Sequence, residues 1–218
     1  MSDIIALCAM KETKSKIFEA AQAVFLRKGL EAATMSDIAK EACISRPSLH
    51  YYHRTKHGLF SDILAKAVKD IISQVQPVVD SDLSLLKKAE KTIDIYHEIL
   101  LENPLMPLFL ISEARRNPQA LLELLYTHGH IDVLVAQLHK RHAGELHQGR
   151  LPLEAMAHFL NTFCGLLFFP FLAKPLLDAV IFRENPTAFK RFVEERREII
   201  LRMLSVLVKP TGHALKKK

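Results

Sequence analysis

The segment from Thr34 to Lys56 constrains the fold most strongly, because it combines the caps and the spacing of two short helices joined by a tight turn. Thr34 and Ser45 are favourable N-cap residues, and each precedes one of the two predicted helices. Pro47 is acceptable in a first helical turn, where its missing N–H would have no intrahelical partner. The sequence therefore predicts a helix-turn-helix, whose second helix can enter the major groove of DNA.

The second predicted helix has two chemically different faces. Leu49 and Tyr52 have the spacing of residues that pack inward, whereas Arg46, Ser48 and Tyr51 point outward. An outer face of hydrogen-bond donors and aromatic rings suits contact with base edges and phosphates. Any one of these side chains taken alone is also explained as an ordinary solvated residue.

The residues on both sides of the helix-turn-helix extend the pattern. Residues 17–25 read IFEAAQAVF upstream, and residues 49–60 read LHYYHRTKHGLF downstream. With the helix-turn-helix between them, residues 14–64 resemble the N-terminal domain of the tetracycline-repressor (TetR) family of bacterial transcription regulators. The resemblance covers roughly a quarter of the chain, and the remainder has no motif that matches with comparable specificity.

The resemblance implies a DNA-binding head and a set of residues within it that contact DNA. Arg46 is the natural bidentate donor to guanine, and Lys56 matches a position that holds phosphate. The candidate DNA-binding residues are Thr34, Ser36, Ser45, Arg46, Pro47, Ser48, His50, Tyr51, Tyr52 and Lys56.

Three residues of the head depart from the family pattern. His50 replaces a tyrosine, His53 replaces an aromatic residue, and Cys43 replaces the usual turn glycine. If Cys43 adopts a positive φ, its side chain costs roughly 1 kcal/mol of strain. His50 can donate to phosphate, and does so more strongly when it is charged below pH ~6.5.

The net charge of +6 is distributed unevenly along the chain. Residues 1–60 contain nine Lys/Arg against six Asp/Glu, and the tail from Lys209 adds four lysines, so residues 61–208 have a net charge of −1. A basic N-terminal part beside a nearly neutral body suits contact with phosphate.

The cysteines and the N-terminal residues both favour a cytoplasmic protein. Cys8, Cys43 and Cys164 are widely spaced and odd in number, so they form neither a disulfide framework nor a metal-ligand pair. Residues 1–10 lack a basic n-region, and their apolar run is too short to export or anchor the chain. We expect a frayed extension here, with Met10 as an alternative natural start.

Helical periodicity continues through the rest of the chain, without a convincing strand pattern or an internal repeat. Asn-Pro occurs three times where a helix is expected to begin, with Asn as the cap and Pro in the first turn. Gly29 and Pro77 are expected to end the helices that precede them. Outside the helix-turn-helix, the predicted helices span residues 12–28, 56–76, 83–102, 105–116, 119–142, 153–173 and 187–208.

The sequence therefore predicts an all-α fold with two domains. Residues 10–57 form a three-helix TetR-type helix-turn-helix domain for DNA binding, which a linker helix joins to the C-terminal helical ligand-binding and dimerisation domain at residues 58–208. Residues 1–9 and 209–218 are expected to be disordered ends.

The most apolar segment is residues 159–182. Prolines and charged residues interrupt it, and its uncharged run is shorter than the ~20 residues that a membrane span needs. In the family that the head resembles, the last two helices pair with their twins in a four-helix bundle, and this segment and the final helix have the right order and character. The candidate dimer-interface residues are Leu166, Phe169, Phe192, Ile200, Met203, Leu204 and Leu207.

The resemblance also implies that a small molecule enters the C-terminal domain, shifts the linker helix and changes the spacing of the two heads. Aromatic residues can line such a pocket, although packing of the core and of the dimer explains them equally well. The candidate pocket residues are Phe109, Phe159, Phe163 and Phe168.

Six histidines of the body raise the alternative of a metal or haem site: His128, His130, His139, His142, His147 and His158. His139 and His142 share one face of a predicted helix, but no cysteine or carboxylate completes a ligand set. We expect no metal and no other cofactor. No Gly-rich phosphate loop, nucleophile elbow or buried carboxylate pair supports an enzyme.

These features predict a cytoplasmic, homodimeric transcription regulator, most often a repressor in the family. Its expected partners are an approximately palindromic double-stranded DNA operator and a small apolar or amphipathic ligand, without a membrane. Two alternatives remain open: a helix-turn-helix factor without a small-molecule inducer, either architectural or protein-partnered, and a haem or metal sensor that uses the body histidines.

Overall fold

The computed structural model describes residues 2–146, 152–183 and 185–208, and helices account for most of this part of the chain. No strand occurs among these residues, so the predicted all-α fold is confirmed. The α-helices are α1 Ser2–Ala32, α2 Met35–Glu41, α3 Arg46–Tyr52, α4 Lys56–Asp80, α5 Leu85–Glu102, α6 Met106–Arg116, α7 Pro118–Gly129, α8 Ile131–His142, α9 Pro152–Leu172, α10 Lys174–Leu177 and α11 Pro186–Ser205. A 3-10 turn, Ala143–Glu145, follows α8, and a π-helical turn, Asp178–Phe182, follows α10.

The chain divides into two compact units between Ala67 and Val68, inside α4. The first unit contains α1 to α3 and the beginning of α4. Phe25 of α1 and Phe60 of α4 meet edge to face at a centroid distance of 5.8 Å, an arrangement that aromatic pairs prefer. The other fully buried side chains of its core are Ile17, Ala21, Val24, Ile38, Leu49 and Leu59.

Two features of the first unit set the position of α3. Gly29 has a φ of 75° and interrupts α1 at the residue where the sequence predicts its end, although helical residues continue to Ala32. Between α2 and α3, Cys43 has a φ of 55°, which confirms that this residue occupies a left-handed conformation. The turn is closed by a 3.0 Å hydrogen bond from the N–H of Ile44 to the carbonyl of Ala39.

The second unit is built around α9, which packs against α5, α6, α8, α10 and α11. Its buried face is a regular stripe at helical spacing, formed by Met156, Phe159, Phe163, Leu167 and Phe171. By length and composition alone, residues 153–172 are also apolar enough to cross a membrane. That similarity is weak evidence for a span, because a buried core helix has the same character.

The helix α4 continues to Asp80, so the prediction that Pro77 stops it is wrong. Proline removes one intrahelical donor, but Pro77 lies on the exposed side of α4, where water can replace a lost donor. The end of α4 is held by two cations from other helices. Buried Lys88 of α5 donates to the carbonyls of Val79 and Ser81, and Arg141 of α8 donates to the Asp80 carbonyl at 2.7 Å.

The single helix predicted for residues 119–142 is two helices, and that prediction is also wrong. His130 separates α7 from α8 with a φ of 43°. The residue before it, Gly129, lies so close to α4 that an added Cβ would meet Cγ1 of Val68 at 3.1 Å. The glycine therefore allows the end of α7 to approach α4, a tertiary reason that periodicity does not reveal.

The Asn-Pro pairs behave in two different ways. Asn117 and Asn185 cap the helices that follow, accepting hydrogen bonds from the N–H groups of Ala120 at 3.2 Å and Thr187 at 3.0 Å. Asn103 instead ends α5, and α6 begins after Leu105 without a side-chain cap. The first helix begins at Ser2 rather than near Glu12. The tail predicted to be disordered, residues 209–218, lies outside the described residues.

The predicted dimer-interface residues divide into three groups. Ile200 and Leu204 are completely buried inside the single chain, so these two candidates are wrong as partner contacts and belong to the protomer core. Phe169 and Met203 are 65% and 51% exposed. Leu166, Phe192 and Leu207 are half-buried.

We predict that Lys88→Met destabilises the protein by about 1–3 kcal/mol, because the carbonyls of Val79 and Ser81 lose a buried donor. Lys87→Met is the matched control, since Lys87 is exposed and loses only a surface ion pair with Glu90, worth less than about 1 kcal/mol. Urea unfolding measures both variants. Equal destabilisation by the two variants would show that the contacts of Lys88 with the end of α4 do not add measurably to the free energy of unfolding.

We predict that Cys43→Gly stabilises the protein by about 1 kcal/mol, because glycine adopts a positive φ without strain. For a chain of this size, the melting temperature should rise by about 2–4 °C. Cys43→Ala is the control, because it removes the thiol but keeps a Cβ in the left-handed turn. An alanine variant as stable as the glycine variant would contradict the strain explanation.

Candidate nucleic-acid interface

The sequence predicts Thr34 as the N-cap of α2, and the structure shows a reciprocal capping box at this N-terminus. The Thr34 hydroxyl accepts a hydrogen bond from the Asp37 N–H at 3.1 Å, and the Asp37 carboxylate accepts one from the Thr34 N–H at 3.1 Å. The Lys28 amine donates to the same carboxylate at 2.7 Å. The Lys28 amine and the Thr34 hydroxyl together lower the pKa of Asp37 to about 2, so the cap stays ionised throughout the neutral range.

The helix α3 is positioned by its cap and by one buried residue. Ser45 caps it by accepting a hydrogen bond from the Ser48 N–H at 3.2 Å. Leu49 is completely buried, and it fixes which side of α3 faces the core. Successive helical residues are rotated by about 100°, so Tyr51 projects away from the core and is 78% exposed.

The exposed face of α3 is the one that the sequence predicts. Arg46 is exposed, and the ring of Tyr51 is supported edge to face by half-buried Tyr52 at a centroid distance of 5.3 Å. Among the other candidates, Thr34, Ser36, Ser45 and Pro47 are exposed, whereas Ser48, His50 and Lys56 are half-buried. The structure thus brings the candidate residues together on α2, α3 and the beginning of α4.

Lys56 has a structural contact in addition to its predicted one. Its amine donates to the carbonyl of Glu31 at 2.8 Å, which ties the beginning of α4 to the end of α1. A lysine ammonium has three donors, so this hydrogen bond leaves two for an outside acceptor.

His53 belongs to the core of the first unit. Its side chain packs against the Phe18 ring at a centroid distance of 5.7 Å, and its Nδ1 lies 3.2 Å from the Asp62 carboxylate. Burial lowers the pKa of His53 more than Asp62 raises it, so the ring is neutral at pH 7. This explains the departure from the family pattern, because a neutral histidine here replaces an aromatic ring in packing.

The electrostatics of the first unit favour a polyanion at this face. No acidic residue occurs between Glu41 and Asp62 in the sequence. Glu41 itself is paired with Arg27 at 2.6 Å, and Asp37 is held by Lys28. The positive potential of the cations on this side is therefore offset by few carboxylates nearby.

Arg54 and Lys40 are exposed cations that motif matching did not single out. Arg54 follows α3 within the acid-free segment, and Lys40 lies on α2. Neither side chain has an ion-pair partner among the residues that the structure describes. The absence of carboxylates between Glu41 and Asp62 is the sequence signal that points to Arg54.

The predicted ligand-pocket residues lie at different depths in the second unit. Phe159 and Phe163 are only 3% and 7% exposed and contribute to the core. Phe109 and Phe168 are half-buried, and the Phe168 ring meets Tyr96 at a centroid distance of 5.4 Å. A separate groove of about 880 Å³ lies between α5, α10 and α11, and its lining includes none of these four rings.

Among the body histidines that the sequence offers as metal ligands, His142 has another partner in the structure. His142 is buried, and its Nδ1 lies 2.5 Å from the Glu145 carboxylate. Among the described residues, no group of three or more histidines, cysteines or carboxylates is arranged to hold a metal ion. His147 lies outside the described residues.

Comparison with known sequences matches the family model of bacterial regulatory proteins of the tetR family to residues 17–63. YttP of Bacillus subtilis, described as a probable HTH-type transcriptional regulator, is 24% identical over 188 residues, which are 84% of this chain and 89% of YttP. The HTH-type transcriptional repressor SCO4008 of Streptomyces coelicolor is 38% identical over 71 residues, 33% of this chain and 36% of the repressor.

Comparison with solved structures extends the similarity beyond the head. FadR from Bacillus subtilis, solved in complex with stearoyl-CoA, has a TM-score of 0.64 at 15% identity over 87% of this chain and 96% of FadR. The ketosteroid transcriptional regulator KstR2 of Mycobacterium tuberculosis also has a TM-score of 0.64, at 16% identity over 90% of this chain and 95% of KstR2. At these identities the structures establish the fold. The matched helix-turn-helix at residues 17–63 and the curated relatives, which are transcription regulators, support a DNA-binding transcription regulator of the TetR family.

Proposed function

We propose that the protein is a cytoplasmic, homodimeric repressor that reads an approximately palindromic operator through α3 and leaves DNA when a small molecule binds the second unit. The observation that carries the DNA-reading part is the exposed ring of Tyr51, 78% exposed on a capped helix within a segment free of carboxylates. At this exposure the Tyr51 ring buries little surface in the protomer, whereas it is suited to contact with bases.

The proposed DNA contacts divide by chemistry. Arg46 and Tyr51 read base edges, with Ser48 and Tyr52 beside them on the same helix. The hydroxyls of Thr34, Ser36 and Ser45 and the remaining donors of Lys56 hold phosphates and set the register. His50 adds a donor to phosphate, and Pro47 provides close backbone approach at the beginning of α3.

The proposed dimer surface is the exposed apolar face of α9 and α11, which contains Phe169, Ile199 and Met203. Gly165 lies on the same side of α9, and a Cβ added there would meet nothing within 4 Å. A glycine inside a helix costs about 1 kcal/mol relative to alanine, and no contact among the described residues requires a glycine here. Close approach of a partner helix gives it a role, and an isologous two-fold contact uses the same face from both chains.

The ligand part of the proposal rests on the fold neighbours and on the aromatic residues of the second unit. FadR was solved with stearoyl-CoA, and KstR2 is named for ketosteroids, so this fold accommodates large apolar and amphipathic molecules. Phe109 and Phe168 are half-buried, and we propose that they contact the ligand first. Phe159 and Phe163 are packed, so a ligand reaching them replaces contacts of the core.

We predict that Arg46→Ala and Tyr51→Ala each weaken binding to the specific operator by about 1–3 kcal/mol and weaken binding to random DNA much less. Arg115→Ala on α6 is the control, because it removes an exposed positive charge that belongs to the second unit. Electrophoretic mobility shifts with operator and random duplexes measure both affinities. Equal losses on the two duplexes would show that α3 does not read bases.

We predict that Met203→Glu splits the dimer and leaves the protomer folded, because it places a charge on an exposed apolar face that a partner would bury. Leu204→Glu is unsuitable, since Leu204 lies in the protomer core and its replacement would unfold the chain. Leu122→Glu, at an exposed apolar position of α7, is the matched control. Light scattering at micromolar concentration measures the mass, and a wild-type monomer or an intact Met203→Glu dimer contradicts this interface.

We predict that an amphipathic ligand such as stearoyl-CoA releases the protein from its operator, whereas coenzyme A without the acyl chain does not. Release requires that the ligand has different affinities for the free and the DNA-bound states. Fluorescence anisotropy of a labelled operator measures it. If no compound in a library of apolar and amphipathic molecules changes DNA affinity, the factor acts without a small-molecule inducer.

A further inference from the structure

An open groove lies on the second unit between α5, α10 and the N-terminal half of α11. Its volume of about 880 Å³ is within the range of small-molecule sites. It contains none of the proposed pocket phenylalanines, and it lies on a different side of α11 from Ile199 and Met203. The lining residues that matter here are His97, Glu98, Glu102, Phe189, Lys190 and Glu194.

The cations and carboxylates of the lining are unequally paired. Arg197 donates to Asp94 at 2.6 Å and to Glu90 at 2.8 Å, so its charge is compensated. Lys174 is paired in the same way with Asp178. In contrast, Glu98 and Glu102 of α5 and Glu194 of α11 have no hydrogen-bond or ion-pair partner among the described residues.

These three carboxylates, Glu98, Glu102 and Glu194, give the groove an excess of negative charge. Lys190 is the cation of the lining that has no partner among the described residues, so one positive charge faces three negative charges. Glu98 and Glu102 are four residues apart and lie about 5–6 Å from each other on one helix face. They occupy the last turns of α5, where the helix dipole adds further negative potential and favours a cation.

His97 supplies an independent indication of a ligand. It is more than nine-tenths buried, it lines the groove, and its ring has no hydrogen-bond partner among the residues that the structure describes. Such a ring has hydrogen-bonding capacity that is left for a molecule in the groove. Burial lowers the pKa of His97, so the ring is neutral at pH 7 and offers one nitrogen as an acceptor.

The floor of the groove already holds one ammonium group against an aromatic ring. The Lys174 amine lies 4.8 Å from the centroid of the Phe189 ring, a cation–π contact. The environment therefore accepts a primary ammonium beside apolar surface, with carboxylates on the facing walls.

We propose that this groove binds a linear organic polycation of the polyamine class, with ammonium groups separated by short methylene chains. Ammonium groups would pair with the Glu98 and Glu102 carboxylates on one wall and with Glu194 on the other. The neutral His97 ring accepts a further ammonium N–H, and the methylenes lie over the apolar floor. The site is additional to the operator and to the amphipathic ligand, and it does not depend on either.

Spermidine titrated into the full-length protein without DNA tests the site by isothermal titration calorimetry at neutral pH and about 0.15 M salt, where exposed charges are largely screened. We expect saturable binding with about one site per protomer. Glu98→Gln and Glu194→Gln should each weaken it about three- to tenfold, since each removes one charge-assisted contact. Glu123→Gln, an exposed carboxylate of α7 outside the groove, should leave the affinity unchanged.

Three results would overturn the proposal. The first is an absence of saturable spermidine binding in wild-type protein whose melting curve is normal. The second is equal affinity in all three variants, or equal displacement by Mg²⁺ at matched ionic strength, since either indicates only a diffuse counter-ion atmosphere. The third is saturable binding of citrate in place of spermidine, which would assign the groove to anions through Lys190.

Discussion

The proposed DNA-reading surface depends on the side-chain caps at the beginning of α2 and α3. Helices of seven residues are not stable in isolation, because nucleation is costly and few hydrogen bonds follow it. Here Thr34 and Ser45 satisfy amide groups that would otherwise lack partners, and Leu49 anchors α3 in the core. Since one buried residue and one cap fix the rotation of α3, the direction of Tyr51 follows from them.

The local features of the head could be predicted from the sequence, because their causes lie within a few residues. The caps, the turn and the left-handed Cys43 are of this kind. The course of the later helices could not be predicted as well. Pro77 reads as a helix stop, yet its exposure makes the lost hydrogen bond tolerable, and the helix end is stabilised by Lys88 from another element. Helical periodicity continues through residues 119–142, and neither the close approach of Gly129 to Val68 nor the positive φ of His130 is visible in it.

The body illustrates a second limit of sequence reasoning. Periodicity identifies an apolar stripe on α11 but does not tell which surface covers it. Adjacent residues on that stripe have different environments, since Ile200 is completely buried while Ile199 is 46% exposed. The groove is another feature that no single segment encodes, because His97 and Glu194 meet only when α5 and α11 pack together. The candidate surfaces of the head were therefore predicted residue by residue, whereas those of the body required coordinates.

The stretch without carboxylates between Glu41 and Asp62 also affects how the protein finds its site. Contacts to the phosphate backbone are independent of base sequence, so a head with unopposed positive charge binds any duplex weakly before it binds the correct one. Such binding permits sliding and hopping along the duplex, which shortens a three-dimensional search. Because each phosphate contact releases counterions, the rate of this search and the fraction of protein held on bulk DNA both fall as salt rises.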